Sequence, residues 1–399
     1  MMDMASPVIN YYNFDEIIDR EQTNSIKYDQ RKNVFGTDDV IPLWIADMDF
    51  RTPDFIVEVI KWRAAHEIYG YTLVPESFYE SVQSWMKKRH GWEVNREWIL
   101  YCPGVVPSLV IAILSFTKPG DAVVVQPPVY YPFFSIIRDN GRIVVNNPLE
   151  LRNGRLSINF DHLTECLDER VKLLLLCSPH NPGGTIWRRD ALERLLEICK
   201  KNGTVIVSDE IHSDLIFSGH QHIPTASISA EVSQNAITLI SPSKTFNISG
   251  LTTSVAIIPN ADLRQRFQQT SQRLHWNTPN IFSIAAFEAA YGQGEEWLKQ
   301  LMTYLENNLN ILLDFFKSEV TQIKVIKPEG TYLVWLDCRA LGMNRSEIRE
   351  WMIGRAKVGL NDGFLFGSGG EGFQRINIAC PLTVLMNALE RIKQAIKYL

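Results

Sequence analysis

From about Trp98 to Ile258, short apolar runs alternate with longer stretches whose apolar residues recur every three or four positions. The runs Ala122–Gln126, Arg142–Val145, Lys172–Cys177, Thr204–Ser208, Ala236–Ile240 and Thr253–Ile258 are rich in Val, Ile and Leu. Pro, Gly or Asn bound them, which predicts strands. Between the third and fourth runs, Leu192, Leu195, Leu196 and Cys199 fall on one helical face. That pattern starts near Asp190 and stops at Asn202-Gly203. Strand, helix and strand in this order form a β-α-β unit. Continuously apolar strands with helical crossovers predict an α/β fold, its central sheet mostly parallel with helices on both faces.

The chain ends read differently. Trp297–Phe316 is one long helical pattern, followed by a strand at Thr331–Leu336, a helix at Arg345–Ala356 and a strand at Gln374–Ala379. We expect a large α/β domain over 50–290 and a smaller α+β domain built from 1–49 and 291–399. In open parallel sheets, ligands sit beyond the carboxyl ends of the strands, so the residues that follow the strands matter most.

Composition narrows the classes. With 399 residues, 45% of them hydrophobic, the chain can bury a large core. A formal net charge of −5 gives no electrostatic reason to expect nucleic acid. The run Val105–Phe116 is too short to span a bilayer, and residues 1–20 lack a basic stretch followed by an apolar one. Six scattered cysteines and no C-x-x-C pair suit a cytoplasmic protein with free thiols. No metal-ligand spacing is present; His220 and His222 lack companions.

Three strand ends carry an unusual set. Ser178-Pro179-His180-Asn181-Pro182-Gly183-Gly184 follows one strand, Ser208-Asp209-Glu210-Ile211-His212 ends another, and Ser241-Pro242-Ser243-Lys244 follows a third. An amide, a carboxylate and an amine are thereby predicted on one sheet edge. Upstream, Pro103-Gly104-Val105-Val106 begins a helix whose N-terminal N–H groups suit a phosphate. Pyridoxal-phosphate (PLP) chemistry needs this inventory: a lysine for the aldehyde, a carboxylate for the pyridine nitrogen, a donor to the ring oxygen and a phosphate cradle. Gly367-Ser368-Gly369-Gly370-Glu371-Gly372 fits a dinucleotide-binding glycine pattern, but a strand follows it where a helix is required, so it reads as a loop.

On these residues the chain resembles the fold-type I PLP enzymes related to class I/II aminotransferases, and is most similar to their cystathionine β-lyase-like C–S lyase branch. The resemblance runs from Leu43-Trp44-Ile45-Ala46-Asp47-Met48-Asp49-Phe50 to Arg375-Ile376-Asn377-Ile378-Ala379, and is most specific in Ser178–Gly184, Asp209–Asp214 and Ser241–Lys244. It implies that Lys244 carries the cofactor as a Schiff base and Asp209 pairs with the pyridinium. Asn181 would contact the ring oxygen, Tyr130 would stack on the ring, and His212 would lie near it or orient Asp209. Gly104, Val105, Ser241 and Ser243 would hold the phosphate. Tyr71 would reach the site of a neighbouring subunit in a homodimer, and Arg375 would grip the substrate carboxylate. Placed in a strand, Arg375 is expected to have a carboxylate partner, since an unpaired buried charge is costly.

Two departures from the aspartate aminotransferases point to the lyase branch. Those enzymes have an arginine eight residues after the lysine, where this chain has Thr252, and a tyrosine three after the aspartate, where it has His212. Within the lyase branch an arginine is expected near Thr185. The implied reaction is α,β-elimination from an S-substituted cysteine, with amino-group transfer on an α-amino acid as the alternative. A non-catalytic binding protein on this fold would be marked by loss of the lysine or the aspartate, and both are present.

Overall fold

The computed structural model describes residues 12–398; residues 1–11 of the expected small-domain segment lie outside them. Seven strands form the central sheet: β1 (Ile99–Cys102), β2 (Ala122–Val125), β3 (Ile143–Asn146), β4 (Val171–Cys177), β5 (Val205–Asp209), β6 (Ala236–Ile240) and β7 (Ser254–Ile257). Their order is β1-β7-β6-β5-β4-β2-β3. From β6 to β3 every neighbouring pair is parallel, while β7 runs antiparallel to both β6 and β1. The predicted strands recur within one or two residues of their expected ends. The addition is β1, whose Ile-Leu-Tyr-Cys was not singled out.

Helices cover both faces because both faces are apolar. Along each strand, alternate residues enter two different cores. Val124, Leu174, Leu176, Ile206 and Val255 pack on one side; Val123, Leu173, Leu175, Val207 and Ala256 pack on the other. The first side receives α2 (Arg189–Lys201) and the second receives α1 (Val105–Phe116). In α2 the buried Leu192, Leu195, Leu196 and Cys199 share one face, and each fully buried leucine contributes roughly 1.5–3 kcal/mol. Charged Glu193, Arg194, Glu197 and Lys201 are left to solvent.

A second sheet of four antiparallel strands comprises β8 (Lys324–Ile326), β9 (Leu333–Asp337), β10 (Asn361–Asp362) and β11 (Phe373–Asn377), in the order β8-β9-β11-β10. The long helix α3 (Glu295–Ser318) leads to it. The expected helix at 345–356 is α-helical only over Arg345–Glu350 and continues as a π turn over Trp351–Arg355. Ile41–Pro42 pairs with Val358–Gly359, tying the early chain to this end. No helix among the described residues is long and apolar enough to cross a membrane.

Candidate active site

Sheet register brings the strand-end residues together. Asp209, last in β5, lies opposite Cys177 of β4 and Leu239 of β6. The segments that follow, starting at Ser178, Glu210 and Ser241, therefore leave the sheet along one edge. Because β7 runs backwards, Thr252 and Thr253 approach the same edge from the loop that carries Lys244.

These segments line a cavity of about 300 Å³ with Gly104, Val105, Tyr130, Asn181, Asp209, His212, Ser243, Lys244 and Arg375 on its wall. Sequence reasoning had not placed Ile45, Ala46, Tyr131, Ser249 or Thr253 there, although all contribute. Two expected residues stand apart from that wall. Ser241 turns inward: its hydroxyl donates to Thr253 O at 2.6 Å and accepts from Ser243 N at 3.1 Å. Tyr71 is fully exposed in a segment without regular structure.

Gly104 precedes α1 with φ +136°, a conformation that L side chains rarely adopt. The turn leaves the first N–H groups of α1 without intrahelical acceptors beside the cavity, where the helix dipole favours an anion.

Asp209 is buried, and burial pushes its carboxyl up to about 7. Its Oδ1 accepts from Ile211 N at 3.2 Å; among the described residues no lysine or arginine lies at ion-pair distance. Burial brings the Lys244 amine down to about 8, and its Nζ donates to Ala46 O at 2.6 Å. Burial, reinforced by the Lys244 and Arg375 cations, pushes His212 down to about 3, so its ring is neutral. No hydrogen bond joins it to Asp209 among the described residues.

Arg375 corrects one expectation. Its partners are neutral oxygens: Asn181 Oδ1 at 2.9 Å, Trp44 O at 2.7 Å and Asn361 Oδ1 at 2.5 Å. Three amide oxygens take three of the five N–H donors without cancelling the charge, and burial brings the guanidinium down to about 10. Arg375 Nε, His212 Nδ1 and Thr253 Oγ1, all on residues of the cavity wall, are buried without a partner. Buried polar atoms are normally paired, so these three mark where a polar ligand fits.

The model of the family "Aminotransferase class I and II" matches residues 38–392. The chain belongs to this family. It is 45% identical to the cystathionine beta-lyase PatB of Bacillus subtilis, over 96% of this chain and 100% of that protein. Among solved structures it is similar to a PLP-bound putative aminotransferase from Clostridium difficile, with TM-score 0.95 and 42% identity, covering 97% of this chain and 100% of that one. It is also similar to cystalysin from Treponema denticola, which contains a pyridoxal 5'-phosphate cofactor; the TM-score is 0.94 and the identity 38%, over 98% of this chain and 100% of that one.

Proposed function

We propose that this chain is a PLP-dependent C–S β-lyase that converts cystathionine or a related S-substituted cysteine to a thiol, pyruvate and ammonia. The observation that carries this reading is the convergence of Lys244, Asp209, Asn181 and Arg375 on one cavity. The 45% identity to a cystathionine beta-lyase along nearly the whole chain favours cleavage over transfer.

The residues fit the cofactor. The N-terminus of α1 with Thr253 Oγ1 and Ser243 would hold the phosphate. Asn181 spends its Oδ1 on Arg375, which leaves its amide N–H groups free to donate to the ring oxygen. Tyr130 would stack on the ring. Asp209 would hold a proton between its carboxyl and the pyridine nitrogen, and its buried, unpaired setting suits a cationic partner. When bound, pyridoxal phosphate supplies an aldehyde that takes an amine and a ring that accepts the electron pair left when Cα loses a proton.

Lys244 would engage that aldehyde and, once free, take the Cα proton at Nζ. An amine near 8 is sufficiently neutral around physiological pH to act as a base. Arg375 would hold the substrate carboxylate through the donor capacity that its three amide oxygens leave open. His212 stays neutral and would face the ring without adding charge.

Amino-group transfer uses the same side chains, and the likeness to a putative aminotransferase keeps it as the second reading. Purified protein loaded with the cofactor should release pyruvate and thiol from cystathionine without a 2-oxo acid acceptor. Turnover that requires an acceptor would overturn the lyase reading.

The same proposal includes a homodimer in which Tyr71 completes the partner's site, and a division into a large unit (50–290) and a small one (1–49 with 291–399). It also includes cytoplasmic residence, which the six free thiols suit.

A further inference from the structure

Two donors share the carbonyl of Ala46. Lys244 Nζ reaches it at 2.6 Å and Tyr332 Oη at 3.0 Å. The acceptor is held firmly in place. The flanking carbonyls of Ile45 and Asp47 both accept from the Asn377 amide, at 2.7 and 2.6 Å. Arg375 holds Trp44 O, and the Asn247 amide holds Met48 O and Phe50 O. Tyr332 itself is fully buried immediately before β9, edge-on to His212 at 5.8 Å between ring centres. The chemistry set out above gives Tyr332 no part.

We propose that Tyr332 is a positioning residue for Lys244: by sharing the Ala46 carbonyl it weakens the hold of that oxygen on the lysine amine, so that the amine can leave without orphaning a half-buried acceptor. This rests on reading Lys244 as the amine that engages the cofactor.

The physical argument has two halves. Two donors on one carbonyl oxygen compete for its electron density, so each bond is weaker than it would be alone. A lysine alone on this carbonyl would make a charge-assisted bond that favours the ammonium form, which cannot accept a proton. When the amine swings away, the hydroxyl still satisfies the oxygen, and the cost of leaving this half-buried carbonyl unpaired is avoided. Asp47, Asp209, His212, Arg375, Tyr130 and Tyr131 also face this region. The carboxylates favour the ammonium and Arg375 opposes it. Tyr332 adds no charge, since burial raises its phenol far above the neutral range and keeps it a donor.

The test measures Lys244 directly in the full chain stripped of cofactor. Labelling of Lys244 by acetic anhydride across pH 6 to 10, read by peptide mass spectrometry, gives the midpoint of its titration. Tyr332→Phe should raise that midpoint by about half a pKa unit, the size expected when a neutral hydrogen bond of ordinary strength is withdrawn from a shared acceptor. Replacing Tyr332 by 3-fluorotyrosine, a stronger donor of nearly the same shape, should lower it. In the loaded enzyme, Tyr332→Phe should shift the rising limb of the kcat–pH profile by the same amount and leave KM within twofold.

A hydroxyl that only fills the core would change stability and leave the midpoint in place, and that result overturns the inference. If Tyr332→Phe fails to fold, the fluorotyrosine protein decides alone, an unmoved or raised midpoint counting against. Borohydride trapping of pyridoxal phosphate separates the two levels. Failure to trap at Lys244 sinks the reading of the site, whereas intact trapping with an unmoved midpoint sinks only the role of Tyr332.

Discussion

Arg375 donates to three neutral oxygens from a buried position, so a substitution there tests the proposed carboxylate recognition without breaking a salt bridge inside the protein. Lysine keeps the charge but loses the planar fork. Arg375→Lys should raise KM for cystathionine about 30- to 100-fold, the loss of roughly 2–3 kcal/mol from a charge-assisted contact, with a smaller fall in kcat. Steady-state kinetics against cystathionine concentration would check this; an unchanged KM would exclude Arg375 as the carboxylate anchor. Single residues also mark the limit of what could be read from the sequence. Lys244, Asp209 and Asn181 were legible because each follows an apolar run at a strand end. The contribution of Ala46 was not, because its working group is a backbone carbonyl and any residue type carries one. Thr253 escaped because its hydroxyl matters only through burial without a partner.

The start of α1 and the end of β5 are the elements on which the site depends. A Cβ on Gly104 would find room, with Pro107 Cδ at 3.4 Å, so the penalty of Gly104→Ala lies in the backbone conformation. Forcing φ away from +136° should cost about 1–3 kcal/mol and re-aim the helix N-terminus. Equilibrium titration with pyridoxal phosphate should show affinity lower by about 10- to 100-fold. Beyond β5, Asp214 accepts from Trp85 Nε1 at 3.0 Å and from Thr245 Oγ1 at 3.0 Å, with His90 Nε2 at 3.2 Å. The His90 contact is the leading influence holding its carboxyl below the usual range against burial. Asp214→Ala leaves these donors buried and unpaired, and should lower stability by about 3 kcal/mol in urea. At this scale strand positions were legible from apolar runs, but direction was not. The reversal of β7 leaves no trace in Ser-Val-Ala-Ile, because an antiparallel strand buried on both faces has the same local pattern as a parallel one. β1 is no shorter than β2, β3 or β7, but it was missed because the 3-10 turn Arg96–Trp98 runs straight into it and no Pro, Gly or Asn bounds its start.

The whole molecule should lose stability in acid, and the sign follows from three buried groups. Burial pushes His180 and His212 down to about 3 from an ordinary 6.5. Between those values the unfolded chain takes up protons that the folded chain refuses, so stability falls as pH drops. Asp209 opposes this: at about 7 when folded and 3.8 when unfolded, it makes the folded chain the better proton binder between them. Two groups against one leave these three with a net uptake of about one proton on unfolding between pH 4 and 5.5, or about 1.4 kcal/mol per pH unit. Urea denaturation of the cofactor-free chain at pH 4.5 and 5.5 would measure it. Asp209→Asn should roughly double the slope and His212→Asn should flatten it; the reverse order would refute the assignment. Assembly has its own check. Tyr71→Phe mixed with Lys244→Ala should regain activity if sites are completed across subunits, and no recovery after proven exchange would count against the dimer.

The antiparallel return of β7 has a consequence for how such a site can be altered. Residues 241–253 leave the sheet after β6 and re-enter it at β7 on the same edge, next to where they left. Lys244, Ser243, Ser249, Thr252 and Thr253 thus ride on one continuous excursion between hydrogen-bonded neighbours. Such a piece can be exchanged with a relative through two adjacent junctions and no new crossover. Lys244 and the hydroxyls of Ser243 and Thr253 would travel together, while Asp209 and Asn181 stay behind in the parallel half of the sheet.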